Sequence, residues 1–475
     1  MNRSQRLAAA LGLYALVGSP AAAEGPLTPA MRADMERLVG AAMTSSRAPE
    51  ILRGLTDSVG PRLAGSPGDR AAVAWGVATL KALGFSNVRA ERVLVPVWRR
   101  ISESASMTAP YRQDFAVAAL GGSVSTPPEG ISAEVVEADS LAAVDALGEK
   151  ARGKIVFIWK KTERRRDGGG YGETVPIRGG GAVHAAKVGA LAVLIRSVGT
   201  DADRLPHTGA MGYDEKTPKI PAAALSTPDA DLLHRVLSEG RPVTVALKLR
   251  TETGPDAESA NVVGEIPGRE APEEVVLVGG HLDSWDLGTG AIDDGAGCAI
   301  SIEAARLIGA LPRRPRRTIR VVLFANEENG LRGGRAYAAG HAAELAKHAA
   351  AIEADAGGDR VYGYSWNAGP GAEAFMKDME TFLAGIGAGE FRKGGAGGAD
   401  ISPLLASGMP LFGLRNDSSR YFDVHHTAND TYEKVDPIQL NQATAAMVAM
   451  TYALAEAAEP LPRIPESGRV RRRPE

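Results

Sequence analysis

The sequence predicts an α/β protein: a mixed, mostly parallel central sheet flanked by helices, with a β-rich segment inserted into it. Three observations carry that prediction. Short apolar runs at Val275–Val278, Ile319–Ala325, Ala351–Gly357 and Pro410–Leu414 have the length of buried strands. Helical patterns alternate with them, over Ala296–Leu311, Ala372–Ile386 and Pro437–Ala458, the order expected of a parallel sheet. Between about Pro110 and Arg250 the character shifts to short β-rich runs of their own.

With 475 residues the chain exceeds one ordinary domain, and two domains, one inserted in the other, fit its length. Residues 24–110 and 251–465 are expected to form one discontinuous domain, residues 111–250 the insertion and residues 466–475 a basic, solvated tail. Hydrophobic residues at 44% supply a substantial core, and a net charge of -3 argues against a nucleic-acid binder. The one cysteine, Cys298, excludes an intrachain disulfide and falls in a helical pattern as a small buried residue. Arg3 and Arg6, the apolar Leu7–Val17 and the small Ala21-Ala22-Ala23 read as an export signal cut after residue 23. The mature protein is therefore expected in the periplasm or secreted. No stretch reaches the ~20 apolar residues of a membrane span.

In chain order, Thr28–Leu55 has helical apolar spacing, and Gly60–Gly68 is a loop by its Gly and Pro content. A helix follows over Asp69–Leu83, stopped at Gly84. Val88–Trp98 reads as a strand, with Pro96 marking an edge. In the insertion, strands are expected at Glu134–Val136, Lys154–Ile158, Leu191–Ile195 and Val243–Leu249, and helices at Gly181–Val188 and Asp229–Ser238. Its three histidines, His184, His207 and His234, show no ligand spacing and are read as structural or surface residues. Asn261–Gly268 is a strand ending in a turn.

The chemistry concentrates at strand ends. Val276–Gly297 runs from a buried strand through Gly279-Gly280 to His281-Leu282-Asp283, then through a polar loop to Asp293-Asp294-Gly295. Imidazole and carboxylate are ligands that suit zinc. Asp283 is placed to accept the second N–H of the His281 ring and fix its tautomer. Glu327-Glu328, Asp355 and His425-His426 follow the next strands. Each has a bland alternative: Asp293-Asp294 as a helix cap, Glu327-Glu328 as a solvated helix start, Asp355 as a turn acid, the histidine pair as a polar loop. Four such places in succession point instead to a shared centre, in which a bridging carboxylate holds two metals and a neighbouring acid handles a water proton.

The motifs GGHLDSWDLGTGAIDDGAG, FANEENGLRGG, EADAG and HHTANDT together resemble the co-catalytic di-zinc exopeptidase family that includes carboxypeptidase Q (plasma glutamate carboxypeptidase) and related aminopeptidases. The likeness covers most of the mature chain, and the inserted segment resembles a protease-associated (PA) domain. It implies two zinc ions bridged by Asp293, one completed by His281 and Asp355, the other by Glu328 and a histidine of the HHTAND loop. It implies Glu327 as general base, Asp283 supporting a ligand and Asp294 shaping the turn after the bridge. The family sets its ligand histidine four residues before an acid; Asp430 is that acid, so His426 is chosen, with His425 the alternative. The implied activity is hydrolysis of dipeptides or short peptides, with homodimerisation suggested. Alternatives are an aminopeptidase on longer peptides, a glutaminyl cyclase-like enzyme with one zinc, and a non-catalytic binding module.

Overall fold

The structure is a computed structural model that describes residues 26–469. The export signal expected at residues 1–23 and residues 470–475 of the basic tail lie outside the described residues.

The helical stretch expected over Thr28–Leu55 is two helices, Pro29–Ser45 and Ala48–Ser58. Pro49 opens the second, where its missing N–H costs nothing, and disfavours continuation of the first. The first buries Met31, Met35, Leu38 and Ala42, one helical face at a spacing of three or four residues. The helix Pro67–Ala82 is capped by Ser66, whose hydroxyl accepts from the Asp69 N–H at 3.1 Å, and Gly84 leaves it at φ +83°.

Four parallel strands form the centre of the sheet, in the order Leu411–Asn416, His348–Glu353, Ala271–His281 and Arg317–Phe324. Val361–Asn367 flanks them antiparallel on one side and Thr244–Ile266 on the other. The helices Ala296–Gly309 and Pro437–Glu456 bury almost every residue against one face, which explains why both are apolar nearly all round.

Beyond Thr244–Ile266 the sheet continues through Ile131–Ala138, Ile155–Ile158, Ala192–Arg196, Ala222–Leu225 and Val117–Ala119. The 23-residue strand Thr244–Ile266 belongs to both halves: Thr244–Leu247 pair with Ile131–Glu134, and Val262–Ile266 with Ile319–Leu323. Ser86–Ala109 runs antiparallel along it, well past the Trp98 at which the sequence reading stopped. Pro96 sits at a register shift between Val95 and Val97 on this outer strand, where no ladder hydrogen bond is demanded of it.

The expected elements of the insertion are present, with helices at Pro176–Lys187 and Thr227–Ser238. The strand Ala222–Leu225 was not expected, because its Ala-Ala-Ala-Leu sequence has little β preference; burial on both faces makes it a strand. Val361–Asn367 and the helix Leu141–Leu147 were also not anticipated.

Candidate metal centre

The parallel strands end together, and their C-terminal ends and the loops that follow carry the acids and imidazoles singled out in the sequence. His281 is the last residue of its strand and is buried. Gly280 and Gly297 leave room beside it: a Cβ on Gly280 would lie 2.3 Å from Asp294 Oδ2, and one on Gly297 1.9 Å from the Ala354 carbonyl. The Asp294 carboxylate fills that room, accepting the His281 N–H at 3.0 Å and the Gly297 N–H at 3.1 Å. A cis peptide joins Asp293 to Asp294.

Asp293 divides its oxygens between two imidazoles from distant parts of the chain. Oδ1 lies 3.1 Å from His281 Nε2, and Oδ2 lies 3.0 Å from His426 Nε2. Asp355 Oδ1 is 3.6 Å from His281 Nε2, and Glu328 Oε2 is 3.0 Å from His426 Nε2. His425 Nε2 also approaches Asp293 Oδ2, at 3.4 Å, and its ring stacks on His426 with centroids 3.5 Å apart. All five proposed ligands therefore meet in two clusters that share Asp293.

The donor set fits a metal. One imidazole nitrogen, His426 Nε2, faces two carboxylate oxygens at 3.0 Å, more than a single N–H serves well. Glu328 Oε1 is buried with no hydrogen-bond partner among the described residues. Ligand atoms ~2.1 Å from a tetrahedral zinc stand roughly 3.4 Å apart, close to the spacings observed.

Two sequence expectations need correction. The Asp283 carboxylate is not the partner of the His281 ring: Oδ1 is 3.8 Å from Nδ1, whereas the Asp283 main-chain carbonyl is 3.0 Å away. The carboxylate instead accepts the Glu327 N–H at 2.9 Å and the Glu328 N–H at 3.4 Å, and so anchors the turn that presents both glutamates. Asp355 is not at a strand end: the strand closes at Glu353, whose buried carboxylate accepts from Asp400 N and Ile401 N.

The electrostatics follow from crowding. Burial disfavours charge on Asp293, but hydrogen bonds from His281 and His426 outweigh it and hold the carboxyl well below its usual range. Burial, reinforced by Asp355 and Glu328, pushes Glu327 well above its usual range. The Glu327 side chain makes no hydrogen bond among the described residues and is only half-buried, whereas Glu328 is buried. A cavity of ≈ 230 Å³ opens beside the centre, lined by Ile292, Ala356, Gly357, Tyr421 and Val424 and rimmed by charged groups.

Three supporting residues escaped the sequence reading. Arg62, fully buried, donates to the carbonyls of Leu282, Thr289 and Gly290 at 2.5, 2.5 and 2.7 Å and so ties down the loop between His281 and Asp293. Its signal was an arginine inside a Gly- and Pro-rich loop. Asp430, used only as a spacing marker, accepts from Ile292 N at 2.6 Å and Asp293 N at 3.2 Å. His207, from the insertion, sits under the His425–His426 turn with Nδ1 2.7 Å from the His425 carbonyl. No ligand spacing marks it. His184 and His234 pair with Asp145 and Glu137, away from the centre, as expected of structural residues.

The pattern of peptidase family M28 matches residues 261–451. The chain is 40% identical over 418 residues to carboxypeptidase Q of Mus musculus, covering 88% of this chain and 87% of that protein. Identity to carboxypeptidase Q of Homo sapiens is also 40%, with the same coverage. The crystal structure of a peptidase M28 precursor from Shewanella amazonensis superposes with a TM-score of 0.90 at 45% identity, over 92% of this chain and 99% of that one. BSAP, a zinc aminopeptidase from Bacillus subtilis, shares the fold at 22% identity, with a TM-score of 0.62 over 88% of this chain and 97% of its own.

Proposed function

The chain belongs to peptidase family M28, and from that premise we propose that this zinc metallopeptidase is an exopeptidase for dipeptides and short peptides, using a pair of zinc ions. The ions would be held by His281, Asp293 and Asp355, and by Asp293, Glu328 and His426. The observation that carries this reading is the division of the Asp293 oxygens between His281 and His426, at 3.1 and 3.0 Å. His426 is preferred to His425 because its Nε2 reaches both Asp293 and Glu328.

Bound zinc supplies Lewis acidity, which acidifies water toward pKa ~7 and polarises a carbonyl. The chain supplies the proton handling. Glu327, adjacent to the ligands but without a partner of its own, takes the proton of the attacking water and returns it to the leaving amine. Burial, with Asp355 and Glu328 nearby, raises its affinity for that proton. Asp283 holds the turn, and Asp430 and Asp294 hold the main chain on either side of the Asp293 carboxylate.

Residues 111–250 are read as a PA-like insertion, residues 1–23 as an export signal, and the active species as a homodimer. Among the described residues no helix is long and apolar enough to cross a membrane.

A panel of short peptides, free or blocked at either end, tests the reading. Hydrolysis abolished by a chelator and restored by zinc is expected. Loss of cleavage on both N-acetylation and C-terminal amidation identifies a dipeptidase; loss on acetylation alone, an aminopeptidase on longer peptides. Chelator-insensitive hydrolysis, or cyclisation of an N-terminal Gln peptide with one zinc per chain, contradicts the reading.

A further inference from the structure

The turn that carries His426 is closed from within by the Thr427 N–H on the Val424 carbonyl at 3.0 Å, and it is also held from outside. His426 has φ +62°, a left-handed conformation that few side-chain-bearing residues adopt. The two successive carbonyls of this turn are held by two successive residues of the insertion. His207 Nδ1 lies 2.7 Å from the His425 carbonyl, and Thr208 N donates to the His426 carbonyl at 3.0 Å. In return the Thr208 carbonyl lies 3.3 Å from His426 Nδ1. Arg178 Nη1, which can only donate, is 3.4 Å from the same nitrogen and competes for it, whereas the nearer Thr208 oxygen accepts from the Nδ1–H tautomer. That tautomer leaves the Nε2 lone pair facing Asp293 and Glu328.

His207 is itself fixed. Its ring is 1% exposed, packed on Gly199, where a Cβ would fall 2.2 Å from Nε2. Nε2 lies 2.8 Å from Asp201 Oδ1, a carboxylate only 3% exposed. Both ring nitrogens thus face oxygen atoms, one from the turn and one from the insertion. Ser197 Oγ receives the His207 N–H at 2.8 Å, and Thr208 Oγ1 is bonded to Ala119 and Arg100 at 2.9 Å each. The pair stands on a strand-anchored base.

We propose that Asp201, His207 and Thr208 form a positioning unit through which the insertion sets the His425–His426 turn and the tautomer of His426, and so the affinity for the second zinc. The inference rests on the reading of His426 as a ligand. It gives residues 111–250 a task at the metal centre in place of mere attachment beside it. His207 acts through the turn and touches no reacting atom.

Two substitutions separate the ring's two bonds. In His207→Asn the amide nitrogen falls near Nδ1 and keeps the bond to His425; in His207→Gln it falls near Nε2 and keeps Asp201 while releasing His425. Zinc binding to the full chain is titrated against a competing chelator, without substrate. His207→Gln should weaken the second zinc about 10- to 100-fold, the range for lost outer-shell partners, and leave the first unchanged. His207→Asn should stay within about threefold of wild type, and kcat should follow the second zinc while KM moves less than twofold. His184→Ala, in the same segment but paired with Asp145, should change neither zinc. If His207→Gln fails to fold, His207→Ala, which also releases the His425 carbonyl, carries the test with a weaker second zinc. Wild-type affinity for both zincs in His207→Gln, or in its stand-in His207→Ala, or equal losses in the Asn and Gln variants, would overturn the proposal. A chain that binds two zincs but cleaves no peptide would overturn the peptidase reading and leave this one standing.

Discussion

Replacing Glu327 by Gln should remove catalysis and leave the metal centre standing. The side chain accepts no hydrogen bond among the described residues, so an isosteric amide breaks no existing contact. The turn is kept by the main chain, through the Glu327 N–H on Asp283 Oδ1 at 2.9 Å and the Glu328 N–H on Oδ2 at 3.4 Å. What disappears is the proton acceptor. A positioned general base contributes about 10²–10⁴ in rate, roughly 3–5 kcal/mol at 1.36 kcal/mol per decade. Removing one carboxyl from a crowd of buried acids also relieves repulsion that raises its proton affinity in the folded state. The metal-free variant should therefore melt no lower than wild type above neutral pH. The assay is kcat on a free dipeptide at saturating substrate, with zinc content measured on the same preparation. A kcat within threefold of wild type refutes Glu327 as the base; loss of zinc refutes its separation from the ligands.

Asp283→Ala leaves the N–H groups of Glu327 and Glu328 without an acceptor. At about 1–3 kcal/mol for each buried orphan, the zinc-free protein should lose roughly 2–6 kcal/mol in urea unfolding. Unchanged stability would show that water replaces the carboxylate. His348 gives a pH signature away from the metals. Burial pushes its pKa down to about 4, and its Nε2 accepts from the Tyr337 hydroxyl at 2.8 Å. The folded pKa lies below the unfolded 6.5, so the folded state resists the proton. This stability is complete above pH 6.5 and is lost as pH falls toward 4, about 2 kcal/mol of it between pH 7 and 5. Compared by urea unfolding at the two pH values, His348→Gln should lose about 2 kcal/mol less than wild type; parallel losses would exclude His348 as the cause.

Much of the centre was legible because its ligands sit at, or just beyond, strand ends, and a strand end is marked by an apolar run that stops at Gly or an acid. His281, Glu327-Glu328 and Asp355 were found in that way. What escaped lay in contacts between segments distant in sequence. Arg62 reaches residues 282–290 across about two hundred positions, and a lone arginine in a Gly-Pro loop does not say what it binds. The true task of Asp283 was hidden because a carboxylate two residues from a histidine fits the ring as well as the facing turn. His207 carried no ligand spacing, since its part is played through the carbonyl of His425. In the fold, the Ala-rich strand Ala222–Leu225 took its conformation from burial rather than from local preference.

The most direct test of the centre is the zinc content of the purified chain and of three single variants. Wild type should hold two zincs per chain, His426→Ala one, His425→Ala two, and Asp293→Ala fewer than one at matched free zinc. One zinc in wild type, or two retained in Asp293→Ala, would contradict a pair of ions joined by that carboxylate; loss in His425→Ala but not His426→Ala would move the ligand to the neighbouring ring.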